Sequence, residues 1–132
     1  AQISAAGLSG RPRVATSQVV SGTGKPAEDV ALDGIVYPIE TWTVRNVPGL
    51  PTPASAASRV DSARGPGARL FAFGYDAWLL TGYLERLALS ANADIQGTTG
   101  RLSLDGFGNV VRRPSWSRFS GGVASPVDER AR

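Results

Sequence analysis

The 132-residue chain contains no histidine and no cysteine. That excludes Ser-His-Asp and Cys-His nucleophilic sites, imidazole or thiolate zinc sites and any disulfide framework. A metal would have to be held by carboxylates, hydroxyls and backbone oxygens, a donor set suited to calcium or magnesium. No metal and no cofactor is expected. The lack of thiols suits an oxidising periplasm and a reducing cytosol alike. Lysine is nearly missing too, with Lys25 alone among fourteen basic residues. No apolar run approaches the roughly 20 residues of a membrane-spanning helix, and no signal-peptide pattern is expected. The first residue is Ala1 rather than Met, which suits either a processed product or a piece of something longer.

What is present describes one globular domain, with 42% hydrophobic and 19% charged residues. The net charge is +3 and the sequence pI about 10.0. The basic groups are dispersed, however: residues 1–69 carry seven basic and five acidic side chains, and residues 70–132 carry seven and six. Arg112-Arg113 is the only adjacent basic pair. Together with the abundance of Ala, Gly and Pro, this resembles a GC-rich coding bias more than a basic binding surface. A nucleic-acid partner is not expected.

Along the chain, residues 1–9 read as the last turn of a helix, and a strand is predicted near 12–16, followed by a loop from Ser17 to Asp29. Ile35-Val36-Tyr37 reads as a second short strand that Pro38 confines to an edge or an early end. Residues 46–68 carry four prolines; they read either as a mobile linker or as a loop around a short helix at 53–64, with Thr52 as cap and Pro53 in the first turn. The strongest element is "RLFAFGYDAWLLTGYLERLALS", where Phe73, Ala77, Leu80, Leu84 and Leu87 form one helical stripe. Tyr75, Trp78, Leu79 and Tyr83 widen it, predicting a helix buried on more than one side. "RLSL" and "NVVRR" flank "DGFG" as a hairpin, "SWSRF" before "GG" suggests a further strand, and "VASPVDERAR" reads as a fraying end.

Each motif with catalytic associations fails its template. A dinucleotide fingerprint after Gly106 and Gly108 would need glycine at Val111. A calcium loop starting at Asp105 meets Gly106 and Phe107 instead of alternating oxygen ligands. "SGTGK" at 21–25 has Val19 where a phosphate loop needs glycine and Pro26 where it needs Ser or Thr. The carboxylates Asp76, Glu85, Asp94 and Asp105 are scattered, and Asp76 is expected to offset a helix dipole or satisfy backbone N–H groups near the helix start. Trp78 and Trp116 are expected in the core.

These residues carry a family resemblance over roughly 8–123. "RLFAFGYDAWLL" followed by "GTTGRLSLDGFGNVVRRPSWSRFSGG" is similar to the closing section of type I periplasmic-binding-protein domains. The upstream "ATSQVVSGTGKPAEDVALDGIVYPIETW" narrows this, because its Ala-Thr-Ser, Ser-Gly-Thr, Asp-Gly and terminal Trp resemble the penicillin-binding-protein activator lipoproteins of the LpoA or LppC type. The resemblance implies an α/β fold, namely a partial type I periplasmic-binding-protein-like fold (a Rossmann-like lobe) with a long helix and a C-terminal β-hairpin. Residues 1–123 would be the C-terminal portion of such a domain and 124–132 a flexible tail. Members lie in the periplasm, are tethered to the outer membrane through a lipid anchor, and are not enzymes. They stimulate a class A penicillin-binding protein, a bifunctional peptidoglycan synthase, by docking to it. A two-lobed domain needs about twice this length. The opening βα units, the helical repeats and the lipidated cysteine are missing from this sequence. The chain is therefore expected to be the last part of such a domain, the alternative being a reduced relative whose strand edges a partner covers.

Two functions follow. One is a non-catalytic regulator docking to the synthase, with Arg112, Arg113 and Arg118 as candidate rim charges. The other is a solute-binding module using the cleft between lobes, where the strand-end rule points to Thr16, Ser17 and Gln18, and the start of the long helix to Tyr75.

Overall fold

The computed structural model describes residues 5–8 and 10–127. The helix end expected over 1–9 falls mostly outside them, as do residues 128–132 of the expected tail. The chain forms two lobes around separate sheets. The first sheet has the order β1-β2-β6-β7, built from Arg13–Val14, Ile35–Ile39, Ser115–Ser120 and Val123–Pro126. β1 and β2 are parallel, while β2-β6 and β6-β7 are antiparallel. The second sheet is the antiparallel meander β3-β4-β5, from Ile95–Gln96, Arg101–Leu104 and Val110–Arg113.

β2 differs from its expectation. It runs through Pro38 to Ile39 and is interior, with Pro38 opposite Trp116 of β6. The reason lies in the backbone. Ala15 N–H donates to the Val36 carbonyl, so Val36 and, two residues on, Pro38 present their backbone polar groups toward β1. β1 ends at Val14, so its ladder with β2 stops where Pro38 offers no N–H. The alternation of β2 places Ile35, Tyr37 and Ile39 in a core with Phe119. The Tyr37 and Phe119 rings stack at 4.7 Å, and each such side chain contributes on the order of 1.5–3 kcal/mol by burial. The stretch expected as a loop from Ser17 to Asp29 is partly ordered into a 3-10 turn, Ser17–Val19, and a short helix α1, Pro26–Asp29. Val19, Val20 and Leu32 from this connection cover the sheet core.

The chain crosses to the second lobe through a short helix α2, Thr41–Val44, and returns at Pro114 between β5 and β6. The two crossings are tied where Thr41 Oγ1 and Ser115 Oγ share a hydrogen bond of 2.9 Å. Trp42 on the outgoing crossing is anchored in the second lobe. It packs with Ala56, Ala63 and Ala72, stacks on Phe71 at 5.6 Å, and its backbone N–H donates to the Thr98 carbonyl.

Residues 46–68 are organised by α3, Pro53–Arg59, rather than forming a linker throughout. Thr52 Oγ1 accepts from Ser55 N–H at 3.1 Å, and Pro53 occupies the first turn. The helix stops at Arg59, short of the expected 64. The long helix α4 spans Gly67–Ala88, about 33 Å at 1.5 Å per residue.

The buried face of α4 is not the expected stripe. Ala72, Asp76 and Leu87 are buried, with Ala68, Phe71, Leu79 and Leu80 partly so. Phe73, Ala77 and Leu84 of the stripe lie on the exposed side. Trp78 is 65% exposed and Leu70 76%, which corrects the placing of Trp78 in the core and of the helix as buried on more than one side. The true line runs through a carboxylate, Asp76, which an apolar-only pattern passes over.

The C terminus also differs. Residues 123–126, within or beside the expected tail, form β7 and pair with β6 across a turn at Gly121-Gly122. Asp33 holds that turn, its two oxygens accepting from Gly121 and Gly122 N–H at 2.9 Å each. Gly122 has φ +72°, and a Cβ there would lie 1.9 Å from the Pro26 carbonyl oxygen, so only glycine fits.

Candidate functional site

The stretch "RLSLDGFGNVVRR" folds as the β4-β5 hairpin. Asp105 Oδ1 accepts from Phe107 and Asn109 N–H at 2.9 and 2.8 Å, and Oδ2 from the Asn109 amide at 3.0 Å. These bonds, led by the Asn109 side chain, hold the Asp105 carboxyl below its ordinary pKa. Its oxygens are thus engaged by its own turn.

The two most recognisable sequence stretches meet at Asp76. This is the tenth residue of α4 rather than one at its start. Oδ1 accepts from Thr98 N–H at 2.7 Å and Oδ2 from Thr99 N–H at 2.9 Å. The Thr99 hydroxyl donates to Oδ2 at 2.6 Å, and the Thr98 hydroxyl is shared between Oδ1 and the Ala72 carbonyl. The expectation that Asp76 satisfies backbone N–H groups holds, but the groups belong to the "GTTG" turn and not to the helix. With both oxygens engaged, Asp76 is an anchor. Gly100 closes the same turn at φ +153°, where a Cβ would lie 2.2 Å from the Arg113 carbonyl oxygen. The turn therefore docks directly on the return crossing.

At the carboxyl ends of β1 and β2 the lobes are joined by one side chain. Arg69, in the first turn of α4, donates from Nε to Glu40 Oε1 at 2.9 Å. Its Nη2 donates to Ser17 Oγ at 2.8 Å and its Nη1 to the Ser17 carbonyl at 3.2 Å. Glu40, immediately after β2, is 5% exposed. Of the residues expected at this cleft, Ser17 is in the cluster, with Thr16 and Gln18 exposed on either side. Tyr75 is elsewhere, packed between Phe71 and Trp78 along α4 at 6.3 and 5.4 Å. Arg69 reaches Ser17 in its place. Sequence offered one signal for this residue: a cation in a helix's first turn opposes the helix dipole and needs a partner from outside the helix.

Nearby charge also acts on the first lobe's core. Tyr37 is fully buried, and burial, followed by the Asp29 and Glu40 carboxylates, pushes its phenol from 10.0 up to about 12. Its hydroxyl finds no hydrogen-bond partner among the described residues, and neither does Ser117 Oγ on the opposing strand.

A cavity of about 880 Å³ opens beside the crossings, lined among others by Thr41, Arg45, Arg101, Arg113 and Ser115. Arg101 is paired with Asp94 at 2.7 Å. The three candidate rim arginines do not share one surface. Arg112 lies over the Phe73 ring of α4 at 4.5 Å, Arg113 lines the cavity, and Arg118 is exposed on β6 of the other sheet. The described residues contain no group of three or more Asp or Glu side chains placed to hold a metal ion. No helix among them is long and apolar enough to cross a membrane.

Comparison with known proteins agrees with this architecture. The chain is 28% identical over 120 residues to penicillin-binding protein activator LpoA of Escherichia coli strain K12, which covers 90% of this chain and 17% of that protein. It is 28% identical over 113 residues to penicillin-binding protein activator LpoA of Klebsiella pneumoniae, covering 86% of this chain and 16% of the relative. The chain thus spans about a sixth of these relatives' length. Among solved structures, the LpoA C-domain of Haemophilus influenzae, a regulator of PBP1A, matches with a TM-score of 0.68 and 25% identity, over 87% of this chain and 36% of that one. Full-length LpoA of Haemophilus influenzae matches with a TM-score of 0.70 and 25% identity, over 86% of this chain and 21% of that one. The mixed α/β fold of an LpoA C-domain section is therefore shared. The model of the LppC putative lipoproteins matches residues 4–122, the span that includes the Asp76 clamp, both crossings and the Asp33-held turn, and the chain belongs to that family.

Proposed function

We propose that this chain forms part of a non-catalytic periplasmic regulator that docks to a class A penicillin-binding protein and promotes peptidoglycan synthesis. The protein acts while tethered to the outer membrane by a lipid anchor. The observation that carries this reading is a family match over residues 4–122 whose named relatives are penicillin-binding protein activators. Arg112, Arg113 and Arg118 are carried as proposed contacts, to be tested singly because they occupy different surfaces.

The test is a binding titration of the natural full-length protein against each class A penicillin-binding protein of the same envelope. Saturable binding to one of them is expected, and no binding to any by a folded sample would defeat the reading. Replacing a rim arginine by alanine is expected to slow association more than it speeds dissociation. An arginine whose loss leaves both rates unchanged is removed from the interface.

A further inference from the structure

The cluster at the end of β1 and β2 lies where open α/β sheets take their ligands, outside the carboxyl ends of the strands. Its chemistry is specific. Glu40 supplies a carboxylate that is almost fully buried, and Ser17 supplies a carbonyl and a hydroxyl, so three oxygens converge from one lobe. A flat cation with N–H groups on several edges matches such a set; a compact ammonium reaches fewer of its members. The group that fills it is the guanidinium of Arg69, which comes from the other lobe with its Nε, Nη1 and Nη2 all engaged.

We infer that Arg69 is a built-in occupant of the position a solute would take: Ser17 and Glu40 form a guanidinium cradle, and the protein's own helix α4 keeps it filled. This goes beyond the activator reading and bears on the solute-binding alternative. While Arg69 is seated, the cradle is closed to free solute and the two lobes are pinned across the cleft. Removing the side chain vacates a site for a small guanidinium compound and leaves a buried carboxylate without its counter-charge.

The test uses the natural full-length protein with methylguanidinium chloride as probe, and methylammonium chloride and sodium chloride at equal concentration as controls. Arg69→Ala is expected to lower the melting temperature. At about 10 mM, methylguanidinium is expected to recover about 2 °C or more beyond either control in that variant and nothing in the parent. The recovery should vanish in the double variant Arg69→Ala, Glu40→Gln. An equal gain in the parent, or no gain in a folded Arg69→Ala protein, overturns the inference. Should Arg69→Ala fail to fold, the parent decides. There the Arg69 Nε–H, assigned through bonds by NMR, is expected to exchange with water about tenfold more slowly than that of exposed Arg59. Equal exchange rates would overturn it.

Discussion

Two carboxylates, Asp33 and Asp76, perform the same task in different lobes. Each holds the backbone N–H groups of a turn distant in sequence, Gly121-Gly122 for Asp33 and Thr98-Thr99 for Asp76. They differ in surroundings. Asp33 is partly exposed and serves a turn at the rim of its sheet. Asp76 is 4% exposed, and the two threonines it holds are equally buried. A donor lost at the rim is taken over by water, whereas a donor orphaned inside bears its full desolvation cost. The same bonds therefore carry unequal weight: the second lobe adds a buried polar anchor to its apolar clusters around Trp42 and Leu102, whereas the first packs Tyr37 and Phe119 and keeps its carboxylate at the rim.

The comparison can be broken most directly at its stronger end. Asp76→Ala leaves the buried Thr98 and Thr99 N–H groups without their acceptor, and is expected to cost about 3–5 kcal/mol in chemical denaturation. Asp76→Asn keeps the shape and some of the bonds, and should cost less.

Alkali sharpens the contrast from the other side, because it reaches the first lobe's core through Tyr37. The neutral phenol is favoured in the folded state, with the pKa raised from 10.0 to about 12. Stability is therefore undiminished below pH 10 and falls as the pH rises toward 12, by about 2–3 kcal/mol in all. Tyr37→Phe should remove that fall in a pH series of urea titrations. At neutral pH the substitution should cost little, since the hydroxyl has no partner among the described residues.

Asp33→Ala comes next, with an expected loss of about 1–2 kcal/mol, since the freed N–H of exposed Gly121 can be hydrated while that of buried Gly122 loses its acceptor. A loss equal to that of Asp76→Ala would show that burial is not what separates the two. The smallest effect is expected for Thr52→Ala, about 1 kcal/mol from the lost cap of α3.

Much of this architecture was legible because it depends on local chemistry. The hairpin at 101–113 follows from alternation around Asp-Gly and Gly-Asn, and α3 from Thr52 and Pro53. The length of α4 follows from its apolar density, but its rotation does not. A stripe chosen by hydrophobicity selects Phe73 and Leu84, both of which are exposed, and omits Asp76, which is buried. Pro38 was misplaced for a related reason: a proline excludes a backbone donor, but whether a neighbour needs that donor depends on where β1 ends. The candidate site was half legible. Ser17 followed from the strand-end rule, whereas Tyr75 did not belong there and Arg69 with Glu40 was missed, because an ion pair 29 residues apart leaves no periodic trace.

The sequence by itself determined the family, the long helix, the capped helix α3 and the hairpin at 101–113, since these rest on residue types and short spacings. Only the tertiary structure decided which face of α4 is buried, which carboxylates are anchors, and that an arginine of one lobe fills the cradle of the other. Those outcomes depend on which distant groups are brought together and how far water is excluded from them, and neither quantity is carried by any stretch of chain alone.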